Sequence, residues 1–335
     1  MTRTAIFSSL IASLLATGWA AAQPSEQPAA PATAPNAAAA PPIRIAASFV
    51  PIHVLTQNVV GDAPGVTLDL VIAPTTGCPH GYSVTPDDVR TLSRANVLVT
   101  LGMGMDDVLA ERVRQLNAAA KIIVCSKGAA ATPARPAAAC PHCGGHHGPD
   151  ENHAHEPNGI QGDNPHVWTS VANAIILTQN IAAGLSEADP GRASFYEANA
   201  KAYIERLRTL QQEAAKAAAG FKHRRVLALH DSLDPMAKEL GLELLGVIQE
   251  HSGQQPSTAR LRQMIQLVRK EQQNGPVLIL SEPQFADQSA ELIARETGAP
   301  LLRIDTLASA AGVPAKDAYE TTYRANLAKL AGVLR

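Results

Sequence analysis

The chain has 335 residues, with 28 Lys and Arg against 30 Asp and Glu, a net charge of −2 and only 4% aromatic residues. A near-neutral chain with no basic stripe interleaved with aromatics lacks the electrostatic footprint of a nucleic-acid binder, so no nucleic-acid partner is expected. Beyond its N-terminal segment the length suffices for two α/β domains of roughly 120 to 150 residues each.

In chain order, Arg3 supplies a positive charge, Ala5 to Thr17 an apolar run, and Ala20, Ala21 and Ala22 a small-residue cleavage site. This pattern predicts an export signal over residues 1–22, cleaved after Ala22, and hence a periplasmic protein. The apolar run is short for a membrane span. No cysteine follows it closely, so no lipid anchor is expected. Residues 23–42 are almost entirely Ala, Pro, Gln and Ser, a composition that cannot bury a core and predicts an extended linker.

From Ile43 onward, strand and helix patterns alternate. Strands are predicted over residues 43–49, 66–72, 96–101 and 121–125, and helices over 51–60, from near Pro86, and over 106–117. An insert rich in His, flanked by Ala and Pro, occupies 127–162. Helices follow over 170–185 and 190–219. The second is long enough, at roughly 1.5 Å per residue, to cross from one domain to another. The alternation then resumes, with strands over 225–229, 242–248, 277–280 and 300–304 and helices over 234–240, 257–273, 287–297 and 317–334. Such alternation implies an α/β fold whose mostly parallel sheets are flanked by helices. The expected organisation is an N-terminal lobe over 43–189, a connecting helix over 190–219 and a C-terminal lobe over 220–335.

The segment from Cys140 to Trp168 holds six of the eleven histidines and two of the four cysteines. Imidazole and thiolate are favoured ligands of zinc and similar metals. Cys140, His142, Cys143, His146, His147, His153 and His155 form a candidate accessory metal tract, although a loop with no role has the same composition. The cysteines Cys78, Cys125, Cys140 and Cys143 allow three complete disulfide pairings, and the spacing does not choose among them.

An ordered site is suggested by where other polar residues fall. Open parallel sheets bind ligands beyond the carboxyl ends of their strands. His80 follows the second predicted strand, His230 ends the strand RVLAL, and Asp305 ends the strand LLRI. Glu282 follows VLIL, and His166 precedes the helix near Ser170. If the two edges face each other, His80, His166, His230 and Asp305 make a candidate zinc shell of three imidazoles and a carboxylate. Each residue has a plainer role: a lone His is commonly a hydrogen-bonded core or surface residue, and Asp305, before Thr306, can serve as a helix cap. Glu282 is either support for the site or part of a loop. His53 reads as structural or exposed. The argument rests on the set.

Five segments then carry a resemblance: IRIAASFVPIHVLTQNVVGD, TGCPHGYSVTPDDVRTLSRANVLVTLG, GDNPHVWTS, SGQQPSTARLRQMI and SEPQFADQSAELIARETGAPLLRIDTLA. Together they resemble the metal-binding periplasmic receptors of ABC importers, in particular the zinc branch, over residues 43–335. The resemblance implies two lobes joined by a long backbone helix, with the metal site between them. It implies zinc coordination by His80, His166 and His230, with Asp305 as fourth ligand or beside a water in that place. It further implies zinc as cargo, an inner-membrane ABC permease as partner, a monomer, and no enzymatic activity. A periplasmic zinc buffer, a manganese receptor and a zinc hydrolase are the competing readings. Three features depart from the family pattern: Cys78 puts a thiol two residues before His80, HDSLDPMAKEL lacks aromatic residues after His230, and RIDTLAS lacks a proline after Asp305.

Overall fold

The computed structural model describes residues 40–74, 78–133, 163–249, 254–308 and 315–335. The predicted signal and most of the linker lie outside the described residues, as do His251 and the whole accessory tract from Cys140 to His155.

Two four-stranded sheets form the frame. The first has the order β2-β1-β3-β4, built from β1 (Ile43–Ala47), β2 (Val66–Leu70), β3 (Val97–Thr100) and β4 (Lys121–Val124). The second has the order β6-β5-β7-β8, built from β5 (Arg225–Ala228), β6 (Glu243–Val247), β7 (Val277–Ser281) and β8 (Leu301–Arg303). Every pairing is parallel. The inner strands show why: VLVT and VLILS are buried along their whole length, as strands covered by helices on both faces must be. The expected two-lobed α/β architecture is thus observed.

The helices are α1 (Val50–Val60), α2 (Pro86–Arg94), α3 (Asp107–Leu116), α4 (Val171–Ala188), α5 (Ala193–Ala219), α6 (Asp234–Glu239), α7 (Thr258–Glu271), α8 (Gln288–Thr297) and α9 (Ala318–Leu334). The helix predicted to start at 190 instead begins with a 3-10 turn, Pro190–Arg192, before α5 proper. Here Arg192 turns inward. It is 1% exposed, pairs with Asp189 at 2.9 Å, and donates to the carbonyls of Pro64, Ala40 and Pro41. No helix among the described residues is long and apolar enough to cross a membrane.

The 27 residues of α5 extend roughly 40 Å. Tyr196, Ala200, Tyr203, Leu207, Leu210, Ala214 and Ala218 form its buried stripe at helical spacing. Near its start, Asn199 donates to the carbonyls of Val59 and Val60 at the end of α1. The approach is close: α1 ends at Gly61 with φ of 59°, and a Cβ there would fall 2.3 Å from Asn199 Nδ2. Further along, Arg206 pairs with Glu320 and Glu213 with Arg324, both on α9. The long helix therefore packs on elements of both halves. The larger apolar core also runs through both halves, and a smaller one lies around β7, α7 and α8.

His53 illustrates what this core imposes. It lies on α1, is 2% exposed, and its Nδ1 has no hydrogen-bond partner among the described residues. Burial lowers its pKa to about 4, against a smaller upward pull from Asp69. The unfolded chain therefore binds a proton between about pH 6.5 and 4 that the folded chain refuses. The contribution is intact above pH 6.5 and is lost as pH falls through that window, by up to roughly 3 kcal/mol. Denaturant unfolding at pH 7 and pH 5 should show a smaller loss of stability for His53→Gln than for the parent. An identical loss would contradict the buried neutral imidazole.

Candidate metal centre

His80 sits in the loop after β2, and the start of α2 steadies that loop. The backbone N–H and hydroxyl of Thr85 both donate to Asp88 Oδ2 at 2.7 Å, and Asp88 N donates back to Thr85 Oγ1 at 3.3 Å. This is a capping box, set where Pro86 opens the helix. The Tyr82 hydroxyl donates to the same carboxylate oxygen at 2.7 Å. The residues flanking His80 are thereby tied to a helix end rather than left to solvent.

His166 is held from behind. Asn164 Oδ1 lies 2.8 Å from His166 Nδ1 and accepts from the His166 backbone N–H at 3.0 Å. With the Nδ1 proton donated to Asn164, the Nε2 lone pair faces the cleft. Asn164 Nδ2 in turn donates to the Asp231 carbonyl at 2.8 Å, and Thr169 Oγ1 makes 3.0 Å contacts to the carbonyls of His166 and Ser232. Just after His166, Trp168 is buried edge-on to Phe49, its ring 5.2 Å from the imidazole. Its Nε1 donates to the Thr306 carbonyl at 2.9 Å. Pro133 and Asp163 form an antiparallel bridge, so the chain leaves for the His-rich insert and returns from it at adjacent points, three residues before His166.

His230 follows β5 and opens a short 3-10 turn. The Ser232 backbone N–H donates to its Nδ1 at 3.2 Å, while Asp231 Oδ1 stands 3.4 Å from its Nε2 and 3.6 Å from His166 Nδ1. Glu282 lies behind it with 0% exposure. Its Oε1 accepts from Ser232, Thr306 and Gln284, and its Oε2 has no hydrogen-bond partner among the described residues, 3.9 Å from His230 Nδ1. Burial raises the Glu282 carboxyl to about 7, opposed by those three hydrogen bonds.

The imidazoles converge. The His80 and His166 rings are 5.3 Å apart, and those of His166 and His230 4.9 Å. Burial lowers the pKa of all three, His230 to about 4, and each of His80 and His166 is further lowered by His230. The rings are thus kept in the neutral form that binds metal. Among the described residues, Cys78, His166 and His230 offer a group of potential ligand atoms all within 4.8 Å of one another. The thiol is 3.2 Å from His80 Nδ1 and 3.5 Å from His166 Nε2.

Like His80, Asp305 is absent from that group. Its Oδ1 accepts from Leu307 N at 2.8 Å, and its backbone N and O are both bonded to Asn326. The turn holds Leu307 at φ of 61°, in the left-handed region. A short acid two residues before a backbone N–H closes such a turn readily, and this is a turn rather than the helix cap expected from the sequence, since no helix starts over residues 306–308. Conversely, sequence reasoning did not single out Asp231, although its position directly after His230 was a usable signal.

Two helix-flanked parallel sheets, a long shared helix and a cluster of His and Cys side chains that could hold a metal fit the class of solute-binding proteins of metal importers. A family profile described as zinc-uptake complex component A, periplasmic, matches residues 45–333, and the chain belongs to that family. The zinc-binding protein AdcA of Streptococcus pyogenes serotype M3 is 26% identical over 260 residues, covering 76% of this chain and 48% of its own length. The chain thus spans about half the length of the first curated relatives it matches. The iron-binding protein YfeA of Yersinia pestis is 25% identical over 277 residues, covering 80% of this chain and 79% of its own. Among solved structures, ZnuA superposes with a TM-score of 0.71 at 25% identity, over 88% of this chain and 100% of that one. A deletion mutant of ZnuA with zinc bound gives 0.69 at 25% identity, over 88% and 98%.

Proposed function

We propose that this protein captures zinc in the periplasm and delivers it to an inner-membrane ABC permease, with His80, His166 and His230 as ligands. The observation that carries this reading is the convergence of three neutral imidazoles, His166 and His230 buried and His80 half-buried, from the loops after β2 and β5 and the turn before α4. Imidazole-rich shells suit zinc better than manganese, which prefers oxygen ligands. The names of the zinc-binding relatives support the same metal.

Second contacts explain how an ion can be held and released. Asn164 fixes His166 with Nε2 toward the cleft. Ser232 N donates to His230 Nδ1, which leaves the ring proton on Nε2 facing Asp231. Zinc binding at Nε2 requires that proton to leave the nitrogen. If Nδ1 is then protonated, Glu282 Oε2, 3.9 Å away, is the acceptor beside it. We read the chain as non-enzymatic. Glu282, a carboxylate 3.9 Å from His230 Nδ1 and the natural general base for a hydrolase here, is wholly buried behind that ring.

In this reading residues 1–22 are a cleaved signal, 23–42 a linker and 190–219 the connection between lobes, and the protein acts as a monomer. The tract containing Cys140, His142, Cys143, His146, His147, His153 and His155 serves as a weak collector of zinc close to the cleft. The test is a zinc titration against a competing chelator, with the mature protein and a variant lacking residues 138–159. One tight zinc per chain in both is expected. Loss of the tight site on deletion would move the metal centre into the insert and overturn the cleft as the receptor site.

A further inference from the structure

We propose that Cys78 supplies a thiolate ligand to the captured zinc, completing a shell of one sulfur and three imidazoles, and that this sulfur biases the site against manganese. The proposal rests on the receptor reading above and names the ligand that would set its selectivity.

The geometry favours sulfur in the place expected of Asp305. Zinc bonds of about 2.1 Å to nitrogen and about 2.3 Å to sulfur put tetrahedral N···N and N···S edges near 3.4 and 3.6 Å. The separation of Cys78 Sγ from His166 Nε2 is 3.5 Å, already that of an N···S edge. His80 Nδ1, at 3.2 Å from the sulfur, is within a few tenths of an ångström of it. Cys78, His166 and His230 are the group whose ligand atoms gather within 4.8 Å, and His80 adjoins it through the sulfur, whereas Asp305 Oδ1 accepts from Leu307 N. Pro79 lies between Cys78 and His80 and restricts the backbone that presents both. Cys78 is only partly buried, so an incoming ion can reach it, while His166 and His230 are 1% and 4% exposed.

The chemistry is a ligand exchange without redox change. The Cys78 S–H bond breaks, its proton passes to water or buffer, and the sulfur lone pair forms the Zn–S bond as one metal-bound water departs. Thiolate is a soft ligand that suits zinc, whereas manganese prefers oxygen, so the gain is metal-selective.

The test uses the full mature chain carrying Cys140→Ser and Cys143→Ser, which removes the other candidate thiol ligands apart from the buried Cys125. One equivalent of cobalt(II) should produce a near-ultraviolet sulfur-to-cobalt charge-transfer band. Adding Cys78→Ser should abolish that band while one cobalt still binds. The same change should lower zinc affinity by about tenfold or more, taking the effect of losing a mere supporting contact as a floor. Manganese affinity should change much less, so the zinc-to-manganese preference falls. Cys78→Ala should repeat the result, which separates loss of sulfur from a serine effect. Cobalt bound tightly through His166 without any sulfur band would overturn the role of Cys78 and leave the receptor reading intact. Cobalt binding that His166→Ala does not weaken would overturn both.

Discussion

Replacing His166 by alanine should lower zinc affinity by at least about 100-fold, since loss of a supporting contact alone typically costs 10- to 100-fold. His166 is the centre of the cluster: its ring neighbours both His80 and His230, and its Nε2 faces Cys78. Removing it leaves the remaining donors separated by the void of a side chain that is 1% exposed. The measurement is competition with a chelator at fixed pH, alongside unfolding of the metal-free variant to establish that it folds. Asn164→Ala should weaken binding less, because the ring survives and loses only the hydrogen bond that orients it. Zinc binding by folded His166→Ala with undiminished affinity would remove this imidazole from the site.

Trp168→Ala should destabilise the protein by about 3–5 kcal/mol, the usual cost of emptying a large aromatic site in a core. Trp168 is 1% exposed and packs edge-on to Phe49 with ring centroids 5.0 Å apart. It also ties distant parts of the chain together. Its Nε1 donates to the Thr306 carbonyl, and its own carbonyl accepts from the Tyr319 hydroxyl at 2.8 Å. That cost is a large share of the 5–15 kcal/mol by which folded domains are usually stable. Trp168→Phe keeps most of the packing and should cost closer to 1 kcal/mol, through the hydrogen bond to Thr306. Denaturant unfolding gives both values, and a midpoint unchanged in Trp168→Ala would refute this account. Because the ring also packs 5.2 Å from His166, the alanine variant should weaken zinc binding as well.

Much of the fold was legible because its signals are local. The runs VLVT and VLILS announce strands buried on both faces, and Thr85, Pro86 and Asp88 announce a capped helix start. Strand ends were legible too, and with them the neighbourhood of His80, His166 and His230. The break at Pro190–Arg192 was not, because Arg192 reads as an ordinary surface cation until its carbonyl partners at Pro64, Ala40 and Pro41 are seen. The start of α4 has a local cap in Ser170, which accepts from Asn173 N, and a second one from far along the chain. Glu239 accepts from the backbone N–H groups of Val171 and Ala172, and no pattern near residue 171 foretells it.

The amino-acid sequence by itself determined the alternation of strands and helices, the edge at which polar residues collect, and the membership of three histidines in one candidate set. Periodicity and chain-order topology suffice for these, since they depend on residues a few positions apart. Only the tertiary structure decided which side chains turn inward at that edge. It brought Cys78 against His166, put Asp231 beside two imidazoles, buried Glu282 behind His230 and committed Asp305 to a turn. Those outcomes depend on loop conformation and on contacts between the two halves, where the nearest unsatisfied partner in space, rather than in sequence, determines where a polar side chain points.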